Sequence, residues 1–419
     1  MIKRKTILIS FLIGVLLSFH GYAFFVMGSI PVPTQDTWIR VYPELMGGSD
    51  IETDNNGNIF VTGTSYSHPK LLKYNESGDL LEDKSWSNEG FARVIAINSQ
   101  NDIIVAGYRY VSSAQSRDIF ILRFNNYGIL QWSRTWGGEE NEYITSLTID
   151  SGNHIYVTGE SYSCGSDRPC LFLLKYNNAG TLQWEKIFNV ARIESGFSLA
   201  TDSSNNIYLP TYQFNTSSST GQIFSYLLKY NATGHMVWNK TIPWASQDIF
   251  ISISPLDNIT IISQTTYNLY SIGKFDVEGN IIRNNSININ NFIAGIASDK
   301  KGEIYLFGAK RAFTPEASLY FCKLDSSGNI DYSIICGGPS FDECEGLAFD
   351  LNNNTYLLAG SYNQDGEPFL LIIKNPYNGL SYFNPSIPYF SSFFLYVFVL
   401  SVITNMIIII WRKDSKPSH

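Results

Sequence analysis

Charged side chains are scarce in this sequence: Asp, Glu, Lys and Arg make up 16% of its 419 residues, well under the roughly 25% of an ordinary soluble domain. With 44% hydrophobic residues, the chain is too apolar for intrinsic disorder and can bury a large core. Positive charge is scarcer than negative, 29 Lys and Arg against 37 Asp and Glu for a net charge of −8, which excludes a nucleic-acid partner held by phosphate contacts. Histidine is rarer still, and of five only His68, His154 and His235 fall in the central part, at unrelated places. No Gly-x-Ser-x-Gly elbow, Walker loop or His-Glu-x-x-His stretch is present. Nothing marks a catalytic centre and no cofactor is expected; the Glu139, Glu140, Glu142 group keeps a paired-carboxylate hydrolase open, and a quinoprotein-like enzyme lacks its adjacent cysteine pair. Five cysteines suit export but are too few for a disulfide scaffold and have no zinc spacing. Cys164 and Cys170 share a short loop and are the first disulfide candidates; Cys336 and Cys344 flank a Gly-Gly loop and are the next. Cys322 is the odd one, read as a core thiol.

Long apolar runs are missing from the middle and confined to the ends. Residues 1–23 carry Lys3, Arg4 and Lys5, an apolar stretch and a small-x-small site at Gly21 and Ala23, the order of a signal peptide, with an uncleaved anchor as the rival. Residues 389–411 hold no charged side chain and as a helix span about 34 Å, enough to cross a bilayer. Arg412, Lys413 and Lys416 follow, placing the tail (412–419) in the cytoplasm. These signals predict a single-pass cell-membrane protein whose bulk is extracytoplasmic, joined to its helix by a stalk at 376–388.

Between the ends one unit recurs seven times. Asn58-Ile-Phe-Val-Thr-Gly63, Asp102-Ile-Ile-Val-Ala-Gly107 and His154-Ile-Tyr-Val-Thr-Gly159 are followed by copies at Asn206, Asn258, Glu303 and Asn354, spaced 44 to 52 residues apart. A turn former precedes each by four residues: Asp54, Asn98, Asp150, Asp202, Ser254, Asp299 and Asp350. A second strand reads Leu71-Leu-Lys-Tyr-Asn75, Ile121-Leu-Arg-Phe-Asn125, Leu173-Leu-Lys-Tyr-Asn177 or Leu227-Leu-Lys-Tyr-Asn231. A Gly three residues on and a Trp-bearing strand (Trp132, Trp184, Trp238) complete the unit. Four strands per copy predict an all-β fold, a seven-bladed β-propeller of four-stranded blades over 36–375, plus one C-terminal transmembrane helix. The seventh copy lacks its Trp strand, whereas Trp38-Ile-Arg-Val-Tyr42 stands unpaired before the first. The N-terminal strand is therefore expected to close the ring.

The stretch from Trp132 to Trp184, with Gly137-Gly138, Glu142, Asp150, Gly159, Lys175, Tyr176, Asn177 and Gly180, resembles the seven-bladed β-propeller repeat (SBBP) family of exported prokaryotic proteins. The resemblance implies an extracytoplasmic propeller and no agreed chemistry. Copy four departs from it with Pro210-Thr211 in place of Gly, so blade four or five is expected to be irregular.

Two recurrences could carry function. Glu142, Glu194 and Asp342 precede the turn residue by eight, with Asp50, Glu89 and Asp248 nearby in other copies; they read either as a Ca²⁺ or other hard-cation site or as caps for backbone N–H groups of their own loops. Tyr66, Tyr110, Tyr162, Phe214, Tyr267, Phe313 and Tyr362 follow the second strand in loops that should share a face, as a ligand face or as packing between blades. Asn75, Asn215, Asn231, Asn239, Asn258, Asn284 and Asn353 begin glycosylation sequons. The expected function is a membrane-anchored recognition or adhesion module for a protein or glycan. A tethered polysaccharide-active or quinoprotein-like enzyme, or a structural envelope component, is the alternative.

Overall fold

The computed structural model describes residues 37–376 apart from 44, 46–47, 87–89, 112–115, 166–168, 189–192, 195–197, 216–221, 246, 267, 311–317, 337–342 and 363–367. Residues 1–23, expected to be a signal peptide, the apolar run 389–411 and the tail 412–419 lie outside the described residues. Among the described residues no helix is long and apolar enough to cross a membrane.

The chain opens with β1 (Trp38–Pro43) and then builds blade one from β2 (Gly48–Thr53), β3 (Ile59–Ser65), β4 (His68–Tyr74) and β5 (Leu80–Ser85). Blade two is β6 (Gly90–Ile97), β7 (Ile103–Val111), β8 (Ser116–Phe124) and β9 (Leu130–Trp136). Blade three is β10 (Glu142–Ile149), β11 (Ile155–Ser161), β12 (Cys170–Tyr176) and β13 (Leu182–Phe188). Blade four runs β14 (Ile193–Glu194), β15 (Ala200–Thr201), β16 (Ile207–Asn215), β17 (Gln222–Tyr230) and β18 (Met236–Thr241). Blade five runs β19 (Gln247–Ile253), β20 (Ile259–Thr266), β21 (Leu269–Phe275) and β22 (Ile281–Asn288). Blade six is β23 (Asn291–Ser298), β24 (Ile304–Lys310), β25 (Ser318–Leu324) and β26 (Ile330–Cys336), and blade seven β27 (Glu343–Phe349), β28 (Thr355–Tyr362) and β29 (Pro368–Lys374). Each sheet is an antiparallel meander, and β1 supplies the outer strand of blade seven, with Trp38 opposite Lys374 and Val41 opposite Leu371. The ring is thus a seven-bladed propeller closed by its N-terminal strand, which covers the edge that β29 would otherwise expose.

The repeated letters of the sequence have separate jobs. The turn former caps the first hairpin: Asp54 Oδ1 accepts from the N–H groups of Asn56 and Asn58, and Asp150 from Gly152 and His154. The Asn or Asp ending the Lys-Tyr-Asn stretch does the same for the second hairpin, as Asn125 does for Tyr127 and Ile129. The Tyr between them is core, Tyr74 and Tyr176 each 3% exposed. The cation before it leaves its own blade: Lys73, Arg123, Lys175, Lys229, Lys274 and Lys374 each donate to a backbone carbonyl in the second-hairpin turn of the next blade. Tryptophans on the outer strands reach the same turns, Trp38 to the carbonyl of Glu76 and Trp132 to that of Asn178. Their rings lie where a Cβ on Gly78 or Gly180 would sit, and both glycines have φ near +80° or +76°.

Blade four is irregular, and the reason is local. In blades two, three and six the Gly ending the second strand lets the inner strand bulge inwards: a Cβ on Gly159 would press on the Tyr143 carbonyl oxygen, and Gly107 and Gly308 are alike. Blade four places Pro210 and Thr211 there. Pro210 has no N–H for the ladder and Thr211 fills the gap, and among the described residues the inner strand is present as the two-residue pieces β14 and β15, with a break at Ser198 and Leu199.

Candidate functional site

All first hairpin turns lie at one end of the strands, and the loops after the second strand lie at the other. At that second end the structure places Tyr66, Tyr110 and Tyr162, which are 68%, 43% and 41% exposed. Phe214 and Tyr362 lie on β16 and β28 with side chains outside the described residues, and Tyr267 and Phe313 lie outside them altogether. The three described positions belong to one band across blades one to three. Tyr66 and Ser67 form a tight turn with φ of 46° and 66°, a conformation that Asn and Gly adopt far more readily than tyrosine. The Ser67 carbonyl accepts from Gly90 N–H, and Gly90 lies opposite Arg109 in blade two.

From Arg109 the band continues through an aromatic cluster that sequence reasoning missed. Phe91 packs against Tyr108 and Tyr110, Tyr108 against Tyr143 of blade three, and Tyr143 against Tyr162. At its centre is Arg117. Its guanidinium carbon lies 5.6, 5.0 and 5.3 Å from the ring centres of Tyr108, Tyr110 and Tyr143. It donates to the hydroxyls of Tyr110, at 3.3 Å, and Tyr143, and the Tyr110 hydroxyl is the main cause that raises the arginine's pKa. Burial raises the pKa of Tyr108 despite the cations Arg93 and Arg117 beside it. The disulfide Cys164–Cys170 ties down the loop that follows Tyr162. The one sequence signal for the cluster is that Phe91 and Tyr143 occupy the same place in their copies, seven residues before the turn former.

Glu142 begins the inner strand of blade three and is fully buried. Its Oε2 accepts from Gly138 N–H at 3.1 Å and its Oε1 from the Ser161 hydroxyl at 2.9 Å, so both oxygens serve the adjoining loop and strand. Among the described residues no three His, Cys, Asp or Glu side chains form a metal-binding group. The Glu194 and Cys336 side chains and all of Asp342 lie outside the described residues. Cys344 is buried in blade seven and Cys322 in the core of blade six. Of the sequon residues, Asn75 and Asn231 cap second-hairpin turns, Asn353 takes the positive-φ place of a first-hairpin turn, and Asn239, Asn258 and Asn284 are exposed; the Asn215 side chain lies outside the described residues.

A second polar region lines the channel. The inner strands carry unpaired backbone groups, and side chains of neighbouring blades cap them: Ser146 accepts from Leu199 N–H, Ser198 from Ile251 N–H, and Thr53, Thr201 and Ser298 donate to the carbonyls of Phe349, Ile149 and Ile253. Asp50 is the acidic member, accepting from Ile51 and Ile95 N–H. Two residues on, Glu52 faces Asp50's charge. Both keep partial access to the channel, but the walls exclude bulk water, and desolvation raises Asp50 to about 7 and Glu52 to about 8. Glu52, Lys300, Asp257 and Phe349 line a cavity of about 410 Å³ at the hairpin-turn mouth.

No known family model matches the chain. An alignment of 187 positions, covering 39% of this chain and 12% of the relative, is 23% identical to an uncharacterized WD repeat-containing protein of Acanthamoeba polyphaga mimivirus. Among solved structures, a streptogramin B lyase superposes with a TM-score of 0.53 at 12% identity, covering 80% of this chain and 98% of the lyase. Virginiamycin B lyase from Staphylococcus aureus gives 0.52 at 12% identity, with 81% and 99% covered. These similarities concern the propeller fold alone.

Proposed function

We propose that this chain is a recognition module that binds a protein or glycan through the aromatic band of blades one to three. The observation carrying it is the cluster around Arg117: a half-buried cation ringed by tyrosines and flanked by exposed Tyr66, Tyr110 and Tyr162, as in binding surfaces built on rigid aromatic and arginine anchors. The topology suits display. Trp38 and Lys374 pair beside the hairpin turns, so both chain ends leave the ring on the face opposite the band. A membrane anchor at residues 389–411 would follow the chain end on that opposite face. The test is binding of the labelled protein to a glycan array and to immobilised surface proteins, comparing wild type with Tyr110→Ala and Tyr162→Ala. An outer-strand control, Leu81→Ala, should bind normally. Equal binding by all four proteins refutes the reading.

A second reading, a membrane-tethered enzyme, rests on Asp50 and Glu52, whose raised pKa values suit acid–base work near neutral pH. It requires hydrolysis or elimination activity that Glu52→Gln abolishes.

A further inference from the structure

We infer that the Arg117 cluster binds a carboxylate carried on a sugar ring, making the ligand of the aromatic band an acidic glycan; this rests on the recognition reading and names its ligand class. The first ground is charge. In a chain of net charge −8, Arg93 and Arg117 both lie beside Tyr108 at one end of blade two, while Arg109, one position out of step on its strand, turns to the other face. Asp118 answers Arg109 at 3.6 Å. Among the described residues no carboxylate lies within ion-pair distance of Arg117, whose ring partners are neutral tyrosines. Held by the Tyr110 and Tyr143 hydroxyls and left without a carboxylate partner, this guanidinium is a fixed positive charge that an anionic ligand can pair with.

Donor accounting points the same way. A guanidinium has five N–H donors; the hydroxyls of Tyr143 and Tyr110 take one from each Nη, the buried Nε–H is closed to any ligand, and among the described residues the second N–H of each Nη has no acceptor. The two tyrosines hold the planar fork in place, and a planar carboxylate is its bidentate complement. The body of the ligand follows from the surroundings. Tyr66, Tyr110 and Tyr162 present exposed, hydroxyl-tipped rings on an open shelf rather than a closed apolar pocket. Such a shelf suits the flat C–H face and outward hydroxyls of a pyranose, whereas an acidic peptide would anchor its side chains in pockets.

The experiment titrates the full-length protein calorimetrically with a glucuronate-containing oligosaccharide and with the same oligosaccharide after reduction of its carboxyl groups to alcohols. The acidic form should bind at least about tenfold more tightly, and Arg117→Met should remove that advantage. Arg117→Lys, which keeps the charge without the fork, should retain part of it, with thermal midpoints confirming that each variant folds. Equal binding of both forms, or binding of an aspartate-rich peptide or inorganic phosphate but of neither sugar, overturns the acidic-glycan assignment and leaves the recognition reading standing. If, in addition, Tyr110→Ala and Tyr162→Ala alter binding of no ligand, the recognition reading falls with it.

Discussion

Replacing Glu52 by Gln tests whether the channel imposes a real electrostatic cost. Gln keeps the volume and the oxygen that accepts from Thr53 N–H, and removes only the ionisable proton. In the unfolded chain this carboxyl titrates near 4.5, and in the folded one near 8. Between those values the unfolded state has released a proton that the native state retains, so stability falls as pH rises. The contribution is intact below about 4.5, shrinks across the interval and is fully lost above about 8. A separation of that size corresponds to roughly 4–5 kcal/mol when complete, and to about 2–4 kcal/mol with water in the channel. Asp50 shifts in the same direction, from 3.8 to about 7, and interacts with Glu52, so the two titrate as a pair. Urea unfolding should therefore show Glu52→Gln within about 1 kcal/mol of wild type at about pH 5 and more stable by about 2–4 kcal/mol at about pH 9. A stability difference that stays constant across that range would mean that the channel does not raise the Glu52 carboxyl's pKa.

Gly159→Ala should cost at least about 2 kcal/mol, read as a lowered urea midpoint, because the new methyl meets the Tyr143 carbonyl across the bulge. Asp150→Ala removes the acceptor for Gly152 N–H, His154 N–H and the Tyr156 hydroxyl and should cost about 2–4 kcal/mol, whereas Asp276→Ala, at an exposed turn, should lower the midpoint far less. Deleting residues 37–43 uncovers the β29 edge and should yield aggregates by light scattering, which a variant keeping β1 does not. Cys164→Ser opens a short loop and should cost about 2 kcal/mol; reduction of wild type should match it, and reduction of the variant should change nothing.

The repeat made most of the fold legible. Turn residues such as Asp54 and Asn125 act on N–H groups two and four positions away, and local chemistry of that kind is written in consecutive letters. Ring closure was readable from a strand lacking a partner at each end of the array. The departure of blade four followed from two letters, Pro210 and Thr211, because a missing N–H and an added Cβ act where they stand.

Blade number, turns and ring closure can thus be read from consecutive letters, because short-range hydrogen bonding and alternation set them. The functional groupings form only when the ring closes. Arg117 is 26 residues from Tyr143, and Asp50 is 45 from Ile95, yet each pair is in contact. Curvature of the ring brings such residues together across blade boundaries, and the same curvature encloses Asp50 and Glu52 in a channel where their charge is hard to hydrate. Charge, burial and proximity of this kind belong to the interfaces between copies, and no single copy records them.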